Sequence, residues 1–340
     1  MIPELDTAIY ARINAPTVLS VFEEWKNRGL LFLTQEFLGR LEPETAIPIH
    51  HSFVTHVHKE KGLFVEVLGK NLGINSDIRK PLAVSADMLW AISLMFDDIE
   101  DEDTMRGNLQ TCWVKFGKQQ TLAAALNGTK KLLEYLTEKV GNSTVASSCT
   151  RYIQIGLRSL REHRLMDLET PVGIITRNYE NRCDFHGTFQ LSAMWTESQE
   201  DQKFKLAISG LRLFNQGGQL INDLKDFTDG DLYGRSFSDI RRGVPTIPLS
   251  YLYNLLSPTD RSTLLAFFGK GTITPTDSMV INELVTKSNV LRNTLARIAD
   301  CYRDSIAQLA EVVSPQDLSW FQKWAEYKQK NLVQQLLTHD

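Results

Sequence analysis

Two clusters of acidic and amide side chains are the groups in this sequence best suited to bind a metal ion. The first lies in the run FDDIEDED, at Asp97–Asp101, directly after an apolar stretch. The second lies in QLINDLKDF, at Asn222–Asp226. Carboxylates packed this closely repel one another, and a hard cation with oxygen ligands turns that repulsion into coordination. The pattern therefore predicts a site for a divalent cation.

Helical spacing gives each cluster one face for binding, because residues four apart lie together on a helix. The predicted metal ligands are Asp97, Asp101, Asn222 and Asp226. Mg²⁺ suits them best, since it binds through one or two carboxylates together with substrate phosphates. Asp98 and Asp223 are predicted to support or bridge the ligands. We expect two helices to clamp a diphosphate through a small Mg²⁺ cluster. A solvated acidic helix face is the alternative for either cluster alone.

Cationic residues flank both clusters. Arg106 follows the first cluster, and the second is surrounded by Lys225, Arg235, Arg241 and Arg242. Arginine suits planar, multidentate recognition of phosphate. These residues are therefore predicted to bind a substrate diphosphate.

The elements that must position these clusters are helices. Strand signals are scarce, whereas apolar residues recur at helical spacing, as in TLAAALNGTKKLLEYLTEKV. Breaks fall where Pro, Gly and Ser gather, as in LETPVG and GKGTITPTD. We predict an all-α bundle around a central cavity, with an N-terminal helical arm at residues 1–45 and one helical domain at residues 46–340.

The composition argues against a nucleic-acid-binding, a disulfide-rich or a membrane-spanning protein. The 340 residues are 42% hydrophobic with a net charge of −4, and no basic run suggests a nucleic-acid partner. The four cysteines are far apart, which predicts reduced thiols. No apolar run approaches the ~20 residues that span a bilayer, and no signal peptide is evident, so a cytoplasmic enzyme is expected. A transition-metal site in the His-rich segment HHSFVTHVHK is disfavoured, because zinc-like spacing is missing.

The motifs resemble those of a known family. DDIED followed by TMRGNLQTCWVKFG resembles the first aspartate-rich motif of the trans-isoprenyl diphosphate synthases, in particular the geranylgeranyl diphosphate synthases. GQLINDLKDF resembles their second motif, and YGRSFSDIRRGVPTIPL resembles the segment after it. The resemblance covers roughly residues 55–330. It implies the isoprenoid synthase fold, three Mg²⁺ ions held by both motifs, a prenyl diphosphate substrate and, by analogy, a homodimer.

Departures from the family pattern concern its second substrate, isopentenyl diphosphate. Gly107 replaces the second Arg after the first motif, Trp90 replaces a His or Gln seven residues before it, and Gly62 replaces the Arg of a GKxxR motif. Each replaced residue would bind isopentenyl diphosphate in the family. Arg106, which would bind the allylic diphosphate, is retained, and Arg182 and His186 are predicted to take over contacts of a missing Lys-Thr pair.

These departures favour a class I terpene cyclase that ionises a single allylic diphosphate. Farnesyl diphosphate is the predicted substrate and a sesquiterpene such as humulene the product, because the chain resembles unusual fungal cyclases of the humulene-forming type. Trp90 is predicted to stabilise a carbocation, with a core-filling role as the alternative. A C20 substrate is also open, because Ile92 and Ser93 leave room for a long chain. The alternatives are a prenyl diphosphate synthase, making farnesyl or geranylgeranyl diphosphate, and a non-catalytic partner subunit of one.

Overall fold

Helices make up most of the described chain. The structure is a computed structural model that describes residues 25–55 apart from 26 and 30, 60–106, 109–141, 143–163, 165–183, 202–227 and 237–337. Residues 25, 27–29, 31 and 32 are helical, and a π-helical turn (Leu33–Phe37) and a 3₁₀ turn (Leu38–Arg40) follow them. The α-helices that follow are α1 (Pro43–Thr55), α2 (Glu60–Asn71), α3 (Ser76–Glu100), α4 (Cys112–Phe116), α5 (Lys118–Val140), α6 (Ser143–His163), α7 (Val172–Cys183), α8 (Gln202–Lys225), α9 (Ser238–Arg242), α10 (Ile247–Leu255), α11 (Pro258–Phe267), α12 (Pro275–Ser288), α13 (Val290–Ala310) and α14 (Pro315–Leu337).

One short antiparallel hairpin interrupts the helices in the described residues. Its strands are β1 (Met105–Arg106) and β2 (Leu109–Gln110), and Arg106 pairs with Leu109. The prediction of an all-α fold is confirmed. Within the described residues, none of the helices combines the length and the apolarity that a bilayer crossing requires.

Contacts divide the chain into two compact units. Unit 1 comprises Met1–Tyr152, His186–Ile208 and Glu311–Trp320. Unit 2 comprises Ile153–Phe185, Ser209–Ala310 and Phe321–Asp340. The first acidic cluster therefore belongs to unit 1 and the second to unit 2. The predicted boundary at residue 45 stays a prediction, because residues 1–24 lie outside the described part of the chain.

The core of unit 1 forms around α3. This helix packs along α2 and α5, and α1 packs against both α3 and α5. Buried apolar side chains at these contacts include Phe53, Phe64, Leu82, Met88, Ile92 and Met95. Each such side chain contributes roughly 1.5–3 kcal/mol on burial. The apolar surface of α3 stops just before its last turn, and the acidic cluster begins there.

The core of unit 2 includes the second half of α8. Phe214 lies edge-on to Tyr302 and Phe321, with ring centroids 4.9 and 5.8 Å apart. Gly217 allows Tyr302 of α13 to approach closely, because a Cβ at residue 217 would lie only 3.1 Å from the Tyr302 ring. α10 packs against α7, α12 and α13. The contacts of Phe214 and Gly217 with Tyr302 hold the helix that carries the second cluster.

Candidate active site

The first cluster occupies the C-terminal end of α3. Asp97 lies in its last turn with 54% of its side chain exposed, and Asp101 caps the helix with its N–H donating to the Asp97 carbonyl at 2.8 Å. The C-terminal end of a helix carries partial negative charge, so each acidic residue there costs about 0.3–1 kcal/mol. The last turn of α3 contains no basic residue. This arrangement favours a bound cation.

Arg106 supplies part of the compensating charge. Its guanidinium donates two hydrogen bonds to Oδ1 of the buried Asp98, one of them from Nε at 3.0 Å, and lies 3.8 Å from a carboxylate oxygen of Asp97. Burial of Arg106 acts to lower its pKa, but the adjacent carboxylates outweigh burial and raise the pKa above its ordinary value. Arg106 is therefore a permanent positive charge that neutralises Asp98 beside the exposed Asp97.

The hairpin returns Arg106 to α3 because its base is anchored by hydrogen bonds. The Asp103 carbonyl accepts from Thr111 Oγ1 at 2.6 Å and from Trp113 Nε1 at 2.7 Å. The Asp103 N–H donates to the Asp98 carbonyl at 2.9 Å. Trp113 thus helps to fix the segment that carries Arg106.

The second cluster lies at the C-terminal end of α8, where Asn222 and Asp223 have different environments. Asn222 is exposed, whereas Asp223 is buried. The Asp223 carboxylate accepts hydrogen bonds from the Tyr179 hydroxyl at 3.1 Å and from Gln219 Nε2 at 3.0 Å. Asn222 is thus accessible from solvent, while Asp223 is held from within unit 2.

Asp226 caps the next helix. Its Oδ1 accepts from the backbone N–H and hydroxyl of Ser238 at 2.8 and 2.7 Å, and its Oδ2 accepts from the Asp239 N–H at 2.9 Å. These bonds satisfy donors at the start of α9 and occupy most of the roughly four acceptor positions of a carboxylate. The geometry favours a structural role for Asp226, and its role as a metal ligand stays a prediction.

The remaining predicted diphosphate ligands differ in how the structure places them. Lys225 is half-buried in the last turn of α8. Arg242 donates to Asp239 Oδ1 at 3.0 Å, an ion pair within α9. Arg182 belongs to α7, but its side chain lies outside the described residues, as do His186 and Arg235. Diphosphate binding by all of these residues stays a prediction.

The ring of Trp90 lies against the ammonium of a lysine of the same chain. The ammonium of Lys61 lies 5.4 Å from the centroid of the Trp90 ring and 2.9 Å from Glu60 Oε1. Lys61 is buried, with 8% of its side chain exposed. An aromatic face that already attracts a buried ammonium adds weight to the packing role of Trp90. Its predicted role beside a carbocation remains untested.

Gly62 is closed in by neighbouring groups. Its N–H donates to Asp87 Oδ1 at 2.9 Å, and Trp25 Nε1 donates to Asp87 Oδ2 at 2.5 Å. A Cβ at residue 62 would collide with the Ala83 carbonyl oxygen and lie 2.8 Å from the Trp25 ring. The position that resembles the family's GKxxR arginine therefore has no room for a longer side chain.

The donor chemistry of the first cluster fits Mg²⁺. Among the described residues, no group of three or more His, Cys, Asp or Glu side chains could hold a metal ion by itself. Mg²⁺ commonly keeps several waters and binds through one or two carboxylates plus phosphate oxygens. The exposed Asp97 and its neighbour Asp101 fit that requirement.

In the His-rich segment, His51 shares a 2.7 Å hydrogen bond with the Gln110 carbonyl, which is the behaviour of a packed histidine.

Unit 2 also contains a cavity of about 160 Å³. Tyr179, whose hydroxyl donates to Asp223, lines it together with Gln216 and Leu220 from α8. Arg297 and Tyr251 contribute further polar groups. The cavity thus adjoins the inner side of the second cluster.

A sequence model of the polyprenyl synthetase family matches residues 48–285, more than half of the chain. The protein belongs to the polyprenyl synthetase family, which implies an enzyme that acts on prenyl diphosphates. No curated protein matches the chain.

Solved structures share its fold. A decaprenyl diphosphate synthase from Rhodobacter capsulatus superposes with a TM-score of 0.81 at 13% identity, covering 92% of this chain and 99% of that one. A polyprenyl synthase from Caulobacter crescentus, complexed with calcium and isoprenyl diphosphate, superposes with a TM-score of 0.77 at 17% identity, covering 92% of this chain and 96% of that one. A geranylgeranyl pyrophosphate synthase from Corynebacterium glutamicum, complexed with isoprenyl diphosphate and magnesium, superposes with a TM-score of 0.69 at 16% identity, covering 92% of this chain and 98% of that one. These identities establish the all-α isoprenoid synthase fold alone. The resemblance to humulene-forming cyclases is not confirmed by these matches.

Proposed function

We propose that the protein ionises an allylic prenyl diphosphate in a Mg²⁺-dependent reaction. The observation that carries this proposal is the end of α3, where the exposed Asp97 lies beside a half-buried Arg106 with raised pKa. Acidic oxygens for a metal and a permanent cation for phosphate therefore lie side by side, because the hairpin brings the Arg106 guanidinium to 3.8 Å from an Asp97 carboxylate oxygen. The structural relatives that contain calcium or magnesium with isoprenyl diphosphate support divalent metal use. The number of three ions and a cytoplasmic location remain predictions.

The chain's own residues would divide the work of ionisation. Asp97 and Asp101 would hold metal at the first cluster, and Asn222 with Asp226 would do so at the second. Bound Mg²⁺ supplies Lewis-acid stabilisation of the departing diphosphate. Arg106 would contribute positive charge to the same leaving group without a proton transfer, because its pKa is raised. Tyr179 and Gln219 would keep Asp223 in place.

Two fates are open to the ionised prenyl group: condensation with isopentenyl diphosphate, and cyclisation without a second substrate. The comparisons favour condensation. Family membership and structural relatives named as prenyl diphosphate synthases support condensation with isopentenyl diphosphate. A trans-prenyl diphosphate synthase is therefore better supported by the comparisons than the terpene cyclase that the sequence motifs alone put first.

One observation in unit 1 favours the second fate, cyclisation without a second substrate. At the position of the family's isopentenyl-binding Arg, Gly62 packs against Asp87 and Trp25. Nearby, Lys61 lies over Trp90 and pairs with Glu60. If these residues close the isopentenyl site, farnesyl diphosphate would cyclise to a sesquiterpene such as humulene.

Product analysis with and without isopentenyl diphosphate separates these fates. The protein would be incubated with Mg²⁺ and geranyl, farnesyl or geranylgeranyl diphosphate, and both hydrocarbons and prenyl diphosphates would be quantified. Longer prenyl diphosphates formed only with isopentenyl diphosphate would establish the synthase. Hydrocarbon formed from the allylic diphosphate alone, unaffected by isopentenyl diphosphate, would establish the cyclase. No turnover of any substrate would contradict both and favour a non-catalytic partner subunit.

A further inference from the structure

A lysine on α14 lies against α8, one helical turn before the second cluster. The ammonium of Lys328, on α14, is 3.4 Å from the position that a Cβ of Gly218 would occupy on α8. Both residues belong to unit 2. Because Gly218 has no side chain, the lysine reaches the surface of α8 itself. This contact depends on a glycine and could not be read from sequence spacing.

Aromatic packing fixes the ammonium at this place. Lys328 Nζ lies 5.3 Å from the centroid of the Trp324 ring, one helical turn earlier on α14. Trp324 is fully buried and stacks on Tyr327 with centroids 5.2 Å apart. The buried indole holds the lysine through a cation–π contact. Lys328 itself is half-buried.

The position of Gly218 on α8 brings the Lys328 ammonium near the second cluster. Gly218 is four residues before Asn222, and residues four apart on a helix have Cβ atoms only about 5–6 Å apart. Asn222 is exposed at the end of the same helix. A diphosphate held by a metal at Asn222 would therefore lie about one helical turn from the Lys328 ammonium. A lysine is a compact point charge that suits phosphate oxygens.

We propose that Lys328 binds the diphosphate group of the substrate at the second cluster. This inference rests on the proposed function, since it adds a residue to the same diphosphate site. The ammonium would attract the diphosphate from the α14 side and stabilise the leaving group as negative charge accumulates on it. Trp324 and Gly218 are positioning residues in this account.

Two charge-removing variants test the proposal. Lys328→Gln removes the charge, and Lys328→Met removes it while keeping an apolar stem against Trp324. Lys328→Arg retains the charge. The matched control is Lys330→Gln, which removes the same charge from an exposed position on the same helix. Binding of inorganic pyrophosphate with Mg²⁺ would be measured by calorimetry for the full chain, beside kcat/KM for farnesyl diphosphate and the thermal midpoint.

We expect both neutral variants to bind pyrophosphate about tenfold or more weakly and to lose a similar factor in kcat/KM, the effect of one lost charged contact. Lys328→Arg should recover most of the affinity, and Lys330→Gln should match the wild type. Pyrophosphate affinity within twofold of wild type in both neutral variants would overturn the role of Lys328 while leaving the proposed function intact. A wild type that neither binds pyrophosphate nor consumes prenyl diphosphates would overturn both.

Discussion

Replacing Gly62 with alanine should destabilise unit 1, against the usual effect of this substitution. In a helix interior, Gly→Ala ordinarily stabilises by about 0.5–1 kcal/mol. Here the new methyl group would meet the Ala83 carbonyl oxygen, Asp87 Oδ2 at 2.5 Å and the Trp25 ring at 2.8 Å. Overpacking of this kind costs about 1–3 kcal/mol. Displacing Asp87 would also weaken its hydrogen bonds from Gly62 and Trp25, each worth about 1 kcal/mol.

The net expectation is a loss of about 1–3 kcal/mol in the free energy of unfolding. Urea denaturation followed by circular dichroism would measure it. The matched control is Gly173→Ala in α7, where a Cβ would meet nothing within 4 Å. That variant should be neutral or slightly more stable. If Gly62→Ala were as stable as Gly173→Ala, α2 would not be packed this tightly, and the argument that the isopentenyl site is closed would fail.

Three further predictions concern the first cluster and its surroundings. Asp97→Ala should abolish turnover without lowering thermal stability, because it removes an exposed acid from the end of α3; retained activity would remove Asp97 from the site. Arg106→Gln should lower stability by about 3 kcal/mol, because the buried Asp98 loses its partner, and kcat/KM by at least tenfold. Adding Asp98→Asn should recover stability but not full turnover; complete recovery of kcat/KM would make Arg106 purely structural. Burial raises the pKa of Cys112 to about 12, so at pH 8 iodoacetamide should modify it only after unfolding in urea. Peptide mass spectrometry would check this, and rapid modification of the folded protein would contradict it.

The sequence predicted the elements and the first cluster because both follow from local patterns. Apolar residues at helical spacing predict helices, and the abrupt change from Met95 to Asp97 marks where α3 leaves the core. Asp87 is a sequence signal for a buried polar contact, because an aspartate inside the apolar run LAVSADMLWA must find hydrogen-bond donors. Those partners, Gly62 and Trp25, are distant in sequence and become evident only in the fold.

Contacts between elements explain why other parts of the site could not be predicted. Arg106 pairs with Asp98 because a hairpin turns the chain back, a contact that spacing alone did not predict, and its binding of a substrate diphosphate stays a prediction. Asp226 matches a metal motif in sequence, yet its carboxylate caps α9 from twelve residues away. Lys328 had no recognisable motif, because its place beside α8 depends on the missing side chain of Gly218.

Release of pyrophosphate from an allylic prenyl diphosphate tests the central claim most directly. Wild-type protein would be assayed with geranyl, farnesyl and geranylgeranyl diphosphate in the presence of Mg²⁺, with and without isopentenyl diphosphate, and Asp97→Ala would serve as the control. The account predicts pyrophosphate release from at least one of these substrates, lost when Mg²⁺ is chelated and lost in the variant. Absence of release from every substrate by folded wild-type protein, or release that persists without a divalent metal and in Asp97→Ala, would contradict it.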